Sequence, residues 1–370
     1  MNGDLYPENE AFLSQQIITY IGNKRALLDF IGEGIKKVQR RLGREKLDMF
    51  DVFSGSGIVA RYFKRYARLV IANDLENYSD LINRCYLSNR DELDLTALDA
   101  YYRELCARLG EDSLEKGIIA ERYAPEDDAH IRAGERVFYT ARNARYIDTA
   151  RRLIGELPED ARKYFLGPLL SEASIHANTS GVFKGFYKNR ETGIGQFGGK
   201  NRDALFRITG NIGLPFPVFS NFNTAFIVSR GDANTVIHSL PEVDLAYIDP
   251  PYNQHPYGSN YFMLNLIIDY RLPKSGSEIS GIPDNWNRSR YNNRNRARTA
   301  LAELINGIKA KYILISYNSE GFLGPEDMTA ILEKAGNFEV MDIKYNAFRG
   351  SRNLGGRDIY VTEYLYLLEK

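Results

Sequence analysis

The chain has 370 residues, 44% of them apolar, and its 48 Lys and Arg are balanced by 48 Asp and Glu. That length can bury a large core and favours two domains, while the even charge balance excludes a general polyanion binder and leaves only local clusters to consider. No apolar run is long enough to span a membrane, no leader pattern opens the chain, and two cysteines with four scattered histidines exclude a disulfide framework or a zinc cluster, so a cytoplasmic protein without a metal is expected.

Along the chain, Ile18–Tyr20 reads as extended, Gly22-Asn23 as a turn, and Leu27, Leu28, Ile31 and Ile35 recur at helical spacing. "LDMFDVFSGSGIVARYF" predicts a strand, a Gly-Ser-Gly turn and a helix, and "RLVIANDLE" predicts a second strand ending at Asp74. From Tyr78 to about Arg207 the pattern is helical and polar. Within it, "NTSGVFKGFYKNRETGIGQFGGKNR" is Gly-rich, basic and aromatic, neither helix nor clean strand. Strands resume in "TAFIVSRGDAN", "VDLAYIDPPY" and "AKYILISYNSEG", and "FEVMDIKYNAF" with "DIYVTEYLYLLE" predicts an antiparallel finish. The expected architecture is α/β, a doubly wound Rossmann-like sheet from residues 1–77 plus 226–370. Residues 78–225 are expected to form an inserted, mainly helical and irregular domain. Bases lead over acids from Arg132 to Arg207, and "NRSRYNNRNRAR" (Asn287–Arg298) holds five arginines and no acid. Phosphate contacts are expected there, with solvated helix faces and a mobile loop as the alternative.

The "DPPY" stretch is the most informative. Pro250 and Pro251 lack backbone donors and fix φ, so the chain leaves its strand rigidly. Asp249 then stands at the carboxyl end of a strand, where open α/β sheets keep their ligands, with the Pro250 carbonyl and the Tyr252 ring beside it. A planar base with an exocyclic amine would satisfy all three. In "DVFSGSG", Gly55 and Gly57 let backbone amides approach a ligand, but the third glycine of the dinucleotide fingerprint is missing. Asp74 is suited to accept from ribose hydroxyls.

The order "TYIGNK", "FSGSG", "ANDLE", "RGDAN", "DPPY" resembles the Dam-like group of S-adenosylmethionine-dependent DNA adenine-N6 methyltransferases, over roughly residues 17–77 and 226–370. The resemblance implies that Tyr20, Gly22 and Lys24 line the methionine end of the cofactor. Phe53, Ser54, Gly55 and Gly57, with Asp51 before them, look like the family's glycine loop, although valine stands where many relatives carry proline after the aspartate. Asp74 is similar to the acid that binds ribose, and Asp232 to the one that reads the adenine amine. Asp249, Pro250, Pro251 and Tyr252 match the catalytic element. Hydrogen bonds accepted from both amine protons would localise the nitrogen lone pair for in-line attack on a sulfonium methyl, with Tyr252 stacked on an extruded base. The implied partner is double-stranded DNA, with a cognate restriction endonuclease acting separately. Asn178, Thr179, Lys184, Lys188 and Arg190 are expected to meet DNA, as are Arg349 and Arg352 of the closing hairpin. Cytosine-N4 methylation, RNA adenine methylation and a DNA-binding module without turnover remain alternatives.

Overall fold

The structure, a computed structural model, describes residues 8–199, 202, 204–346 and 360–370. Its sheet comprises Leu47–Asp51 (β1), Ala67–Asp74 (β2), Ala225–Arg230 (β3), Val243–Ile248 (β4), Ala310–Asn318 (β5), Asn337–Asn346 (β6) and Tyr360–Glu369 (β7). The strand order is β3-β2-β1-β4-β5-β7-β6. β1 to β5 are parallel and β7 runs antiparallel between β5 and β6, as the closing segments predicted. The inner strands are near-continuous apolar runs because helices cover both faces. Alternation along β1 divides the cores. Met49 packs with Ile31, Ile35 and Val38 of the helix Leu28–Leu42, while Phe50 packs with Leu301, Leu304 and Ile305 of the helix Arg294–Gly307. The first of these helices ends at Gly43, whose left-handed backbone (φ 63°) is the usual helix stop.

The strand order reverses between β1 and β4. Connections leave that point in opposite directions and open a crevice at the carboxyl ends of the strands. The 52–57 loop, residues 74–76 and residues 249–252 all emerge there. The antiparallel register also brings Asn318 opposite Glu363, which carries a residue near the C-terminus to the same edge.

A third core joins the helices Ala141–Glu156 and Glu159–Ile175 to Phe12, Ile17, Tyr78, Ile82 and the helix Phe262–Asp269. The helix Asn77–Tyr86 also packs on β2 and β3. The helical middle of the chain is thus continuous in packing with the sheet's covering layer. Among the described residues, no helix is long and apolar enough to cross a membrane.

Candidate active site

The crevice floor is set by two acidic strand ends and a glycine turn. Gly55 has φ 52°, and a Cβ there would stand 2.7 Å from the Tyr20 ring, so only glycine fits. Its N–H donates to Asp74 Oδ2 at 2.8 Å, and the Glu76 N–H donates to Asp74 Oδ1 at 3.0 Å, which fixes that carboxylate at the end of β2. Burial pushes the Asp74 pKa up, against the pull of these backbone donors. Gly57 is also left-handed (φ 74°) and opens the helix Ile58–Phe63, and the Ser54 hydroxyl meets Asn83 Oδ1 at 3.1 Å. Ser54 and Gly57 therefore shape the loop and are not part of the crevice wall. Asp51, 1% exposed, is also outside the wall; burial pushes its pKa up to about 8, with Asp249 and Asp74 adding to the rise.

Above this floor lies a cleft open to solvent. Of the residues expected from sequence, Tyr20, Gly22, Phe53, Asp74, Asp232, Asp249 and Pro251 line it. Tyr20 is held by stacking on Tyr257 and Tyr261, with ring centres 5.0 and 4.8 Å away. Glu76, Tyr257, Asn287 and Tyr291 line the cleft too, and the sequence reading missed them. Tyr291 sets its ring edge-on to Phe53 at 5.1 Å and donates its hydroxyl to Asn234 Oδ1 at 2.8 Å. Phosphate contacts are expected of the whole stretch Asn287–Arg298. Here Asn287, Tyr291 and Asn292 form a cleft wall, while Arg290 pairs with Glu303. Glu76, 2% exposed, accepts from Asn265 Nδ2 at 2.8 Å, and burial pushes its pKa up to about 7.

Lys24 behaves differently from its expected place on the cofactor wall. Its side chain is 3% exposed, and its Nζ lies 3.2 Å from Asp249 Oδ1 and 2.6 Å from Glu363 Oε1. Burial alone would lower the ammonium's pKa, but the two carboxylates outweigh it and hold the pKa well above its ordinary value. Lys24 thus faces two carboxylates of the protein itself. For Asp249, burial pushes the pKa up to about 7, against the pull of Lys24 and with Glu363 adding to the rise. Tyr252 is half-buried outside the cleft lining, its ring 5.8 Å from Lys24 Nζ and edge-on to Tyr317 at 6.0 Å. Pro250 is buried.

The Gly-rich basic segment forms a short hairpin-like excursion with one bridge, Lys188 to Gly195. Lys184, Lys188 and Arg190 are exposed on it. Lys184 is near enough to His255 to help lower that imidazole's pKa after burial, which ties this surface to the loop after Tyr252. Asn178 and Thr179 correct the expectation of base contacts. Asn178 is fully buried, its Nδ2 donating to the Val137 and Gln196 carbonyls and its Oδ1 accepting from the Gly198 N–H. Thr179 is 4% exposed and its Oγ1 accepts from the Gly181 N–H. Both anchor the excursion, because a glycine-rich segment needs side-chain partners for its backbone. Arg349 and Arg352 lie outside the described residues.

The sequence model of the family described as D12 class N6 adenine-specific DNA methyltransferase matches residues 20–331. The chain is 30% identical to the type II methyltransferase M.NlaIII of Neisseria lactamica, over 95% of this chain and 99% of that one. It is 29% identical to the type II methyltransferase M.CviAII of Paramecium bursaria Chlorella virus 1, over 95% and 98%. It is 25% identical to the type II methyltransferase M.FokI of Planomicrobium okeanokoites, covering 95% of this chain and 52% of that one.

Proposed function

The chain belongs to the D12 class of N6 adenine-specific DNA methyltransferases, and from that premise we propose that it draws its methyl group from S-adenosylmethionine bound in the cleft at the carboxyl ends of β1, β2 and β4. The observation that carries this reading is the set of groups around one cleft: Asp74 fixed by two backbone donors, with Asp232, Tyr291, Tyr20, Gly22 and Asp249 lining the same space. These fit the donor. Carboxylates suit ribose hydroxyls and an adenine amine, the Phe53 and Tyr291 rings suit a purine, and a Cβ on Gly22 would stand 3.5 Å from the hydroxyls of Tyr252 and Tyr257, filling the cradle. When bound, the cofactor supplies an electrophilic methyl.

The chain's own residues do the rest. Asp249 accepts a hydrogen bond from the target N6 amine and the Pro250 carbonyl accepts the second, turning the nitrogen lone pair out of conjugation with the ring. Tyr252, half-buried beside Asp249, stacks on the extruded adenine. Lys24 orients Asp249 and does not contact the methionine end. The adenine class of the family argues against the cytosine-N4 and RNA alternatives. Its relatives are named type II methyltransferases, which supports a modification role; a separately acting restriction endonuclease is the partner that role implies. We read residues 1–77 plus 226–370 as the catalytic part and 78–225 as the inserted recognition part, whose Lys184, Lys188 and Arg190 meet the phosphates.

Calorimetric titration with S-adenosylmethionine, without DNA, should give saturable binding to one site, weakened about tenfold or more in Asp232→Ala, where a buried amine loses its acceptor. No measurable binding to the intact chain would overturn the cofactor assignment. For DNA, the joint change of Lys184, Lys188 and Arg190 to alanine should reduce the slope of log affinity against log salt by about 2 to 3, one phosphate contact per cation. An unchanged slope would remove this surface from the interface.

A further inference from the structure

Behind Asp249 the molecule holds a second carboxylate that the methyl-transfer reading does not use. Glu363 lies on β7, 339 residues from Lys24 in sequence, and is 1% exposed. Its Oε1 accepts from Lys24 Nζ at 2.6 Å and from Ser316 Oγ at 2.5 Å, and its Oε2 meets Asn318 Nδ2 at 3.4 Å. Both supporting residues come from β5, so the carboxylate is held by two strands. Lys24 Nζ is 0.6 Å nearer to Glu363 than to Asp249, the difference between 3.2 and 2.6 Å. The row therefore runs carboxylate, ammonium, carboxylate, with one cation shared by two anions and a net negative charge. A second buried anion is costly in a stable core and is kept only where something compensates it.

We infer that Glu363 is a positioning residue for methyl transfer: by drawing the Lys24 ammonium toward β7 it leaves Asp249 an incompletely neutralised carboxylate, a stronger acceptor for the target amine. This rests on the assignment of Asp249 to that amine. If Lys24 served Asp249 alone, the ion pair would be complete and the aspartate oxygens would have less to offer a neutral N–H. With the cation shared, the amine's protons compete well for Asp249, and the proton released from the methylated nitrogen has an acceptor at hand. Asp249 thereby stays poised around neutral pH, its pKa pushed up to about 7 first by burial, with Glu363 adding to the rise against Lys24. The other titratable groups around Lys24 are the Tyr247 hydroxyl on β4, Tyr252 and, on β6, Tyr345. Each has a raised pKa and is neutral in this range, as is Tyr257 beside Asp249; Asp51 is also coupled to Asp249, but burial pushes its carboxyl up to about 8 and it is mostly protonated at pH 7, so Glu363 is the anion that acts on the pair there.

Selective ¹³C labelling of aspartate, with Asp249→Asn identifying the resonance, reads the ionisation of Asp249 without turnover. In the intact chain its carboxyl should titrate near pH 7. In Glu363→Gln the midpoint should fall by about one pH unit, because Lys24 now serves Asp249 alone. The acid limb of the single-turnover methylation rate should move down with it, and the plateau rate should fall about tenfold. Glu363→Asp, which restores the charge, should bring the midpoint back toward that of the intact chain. An unmoved Asp249 midpoint in Glu363→Gln overturns the proposal, whether or not the melting temperature drops. If the midpoint moves but the intact chain deposits no methyl on adenine, then the electrostatic coupling stands and the assignment of Asp249 to an amine fails.

Discussion

Asp249→Asn should lower the single-turnover rate of adenine methylation by about 10³-fold while leaving S-adenosylmethionine affinity within a few-fold of the intact chain. The substitution keeps the shape of the strand end and the double proline but replaces the anionic acceptor with an amide that presents an N–H to Lys24 or to the substrate. The cofactor's ribose and adenine would still meet Asp74, Asp232 and the Tyr291 wall, which the substitution does not touch. A pH dependence follows from the same residue. Its carboxyl is held up at about 7, chiefly by burial, and only the ionised form accepts both from Lys24 and from the amine. The rate in the intact chain should therefore rise with pH up to and through about 7 and then level off. Near-normal turnover in Asp249→Asn, or a rate falling over that range, would remove Asp249 from the chemistry.

Lys24→Met should cost about 3–5 kcal/mol of stability, measured by denaturant unfolding, because it leaves the carboxylates of Asp249 and Glu363 facing each other with no cation between them. The sign of its pH dependence separates this from a packing defect. Without Lys24 the folded-state carboxyl pKa of Asp249 rises further above its unfolded value, so the folded chain binds more protons than the unfolded one. Its stability is then lost as pH rises through that window. The deficit of Lys24→Met should be larger at pH 8 than at pH 5.5. A deficit independent of pH would mean that the lost stem of the lysine, and not its charge, carries the effect. A lysine that merely lined a solvated cofactor site would give a small and pH-independent change.

Much of this was legible in the sequence. Strands buried on both faces are short apolar runs, and Leu47–Asp51, Val243–Ile248 and Ala310–Asn318 read as such because their period and length leave few alternatives. Asp74 ends β2, Asp232 follows β3 and Asp249 follows β4, so topology alone brings the three acids to one edge of the sheet. What sequence concealed is pairing across long separations. The resemblance puts Lys24 at the methionine end of the cofactor, but its partners lie 225 and 339 residues away, and nothing local announces them. Asn178 was misread for a related reason. A polar residue in a glycine-rich segment looks exposed, whereas that segment's unpaired backbone makes a buried amide necessary. Arginines dominate the sequence of Asn287–Arg298, yet it is Asn287, Tyr291 and Asn292 that face the cleft. The missed tyrosine Tyr257 carries no motif at all. It reaches the cleft because the chain leaves Pro251 rigidly and returns through the turn Tyr257–Asn260 to the Tyr20 ring.

The measurement that bears most directly on this account is incubation of the intact chain with methyl-labelled S-adenosylmethionine and mixed-sequence duplex DNA, followed by nucleoside digestion and mass analysis. Label is expected in N6-methyladenine, and none in the same reaction with Asp249→Asn. Label confined to N4-methylcytosine, or N6-methyladenine formed undiminished by Asp249→Asn, would contradict it.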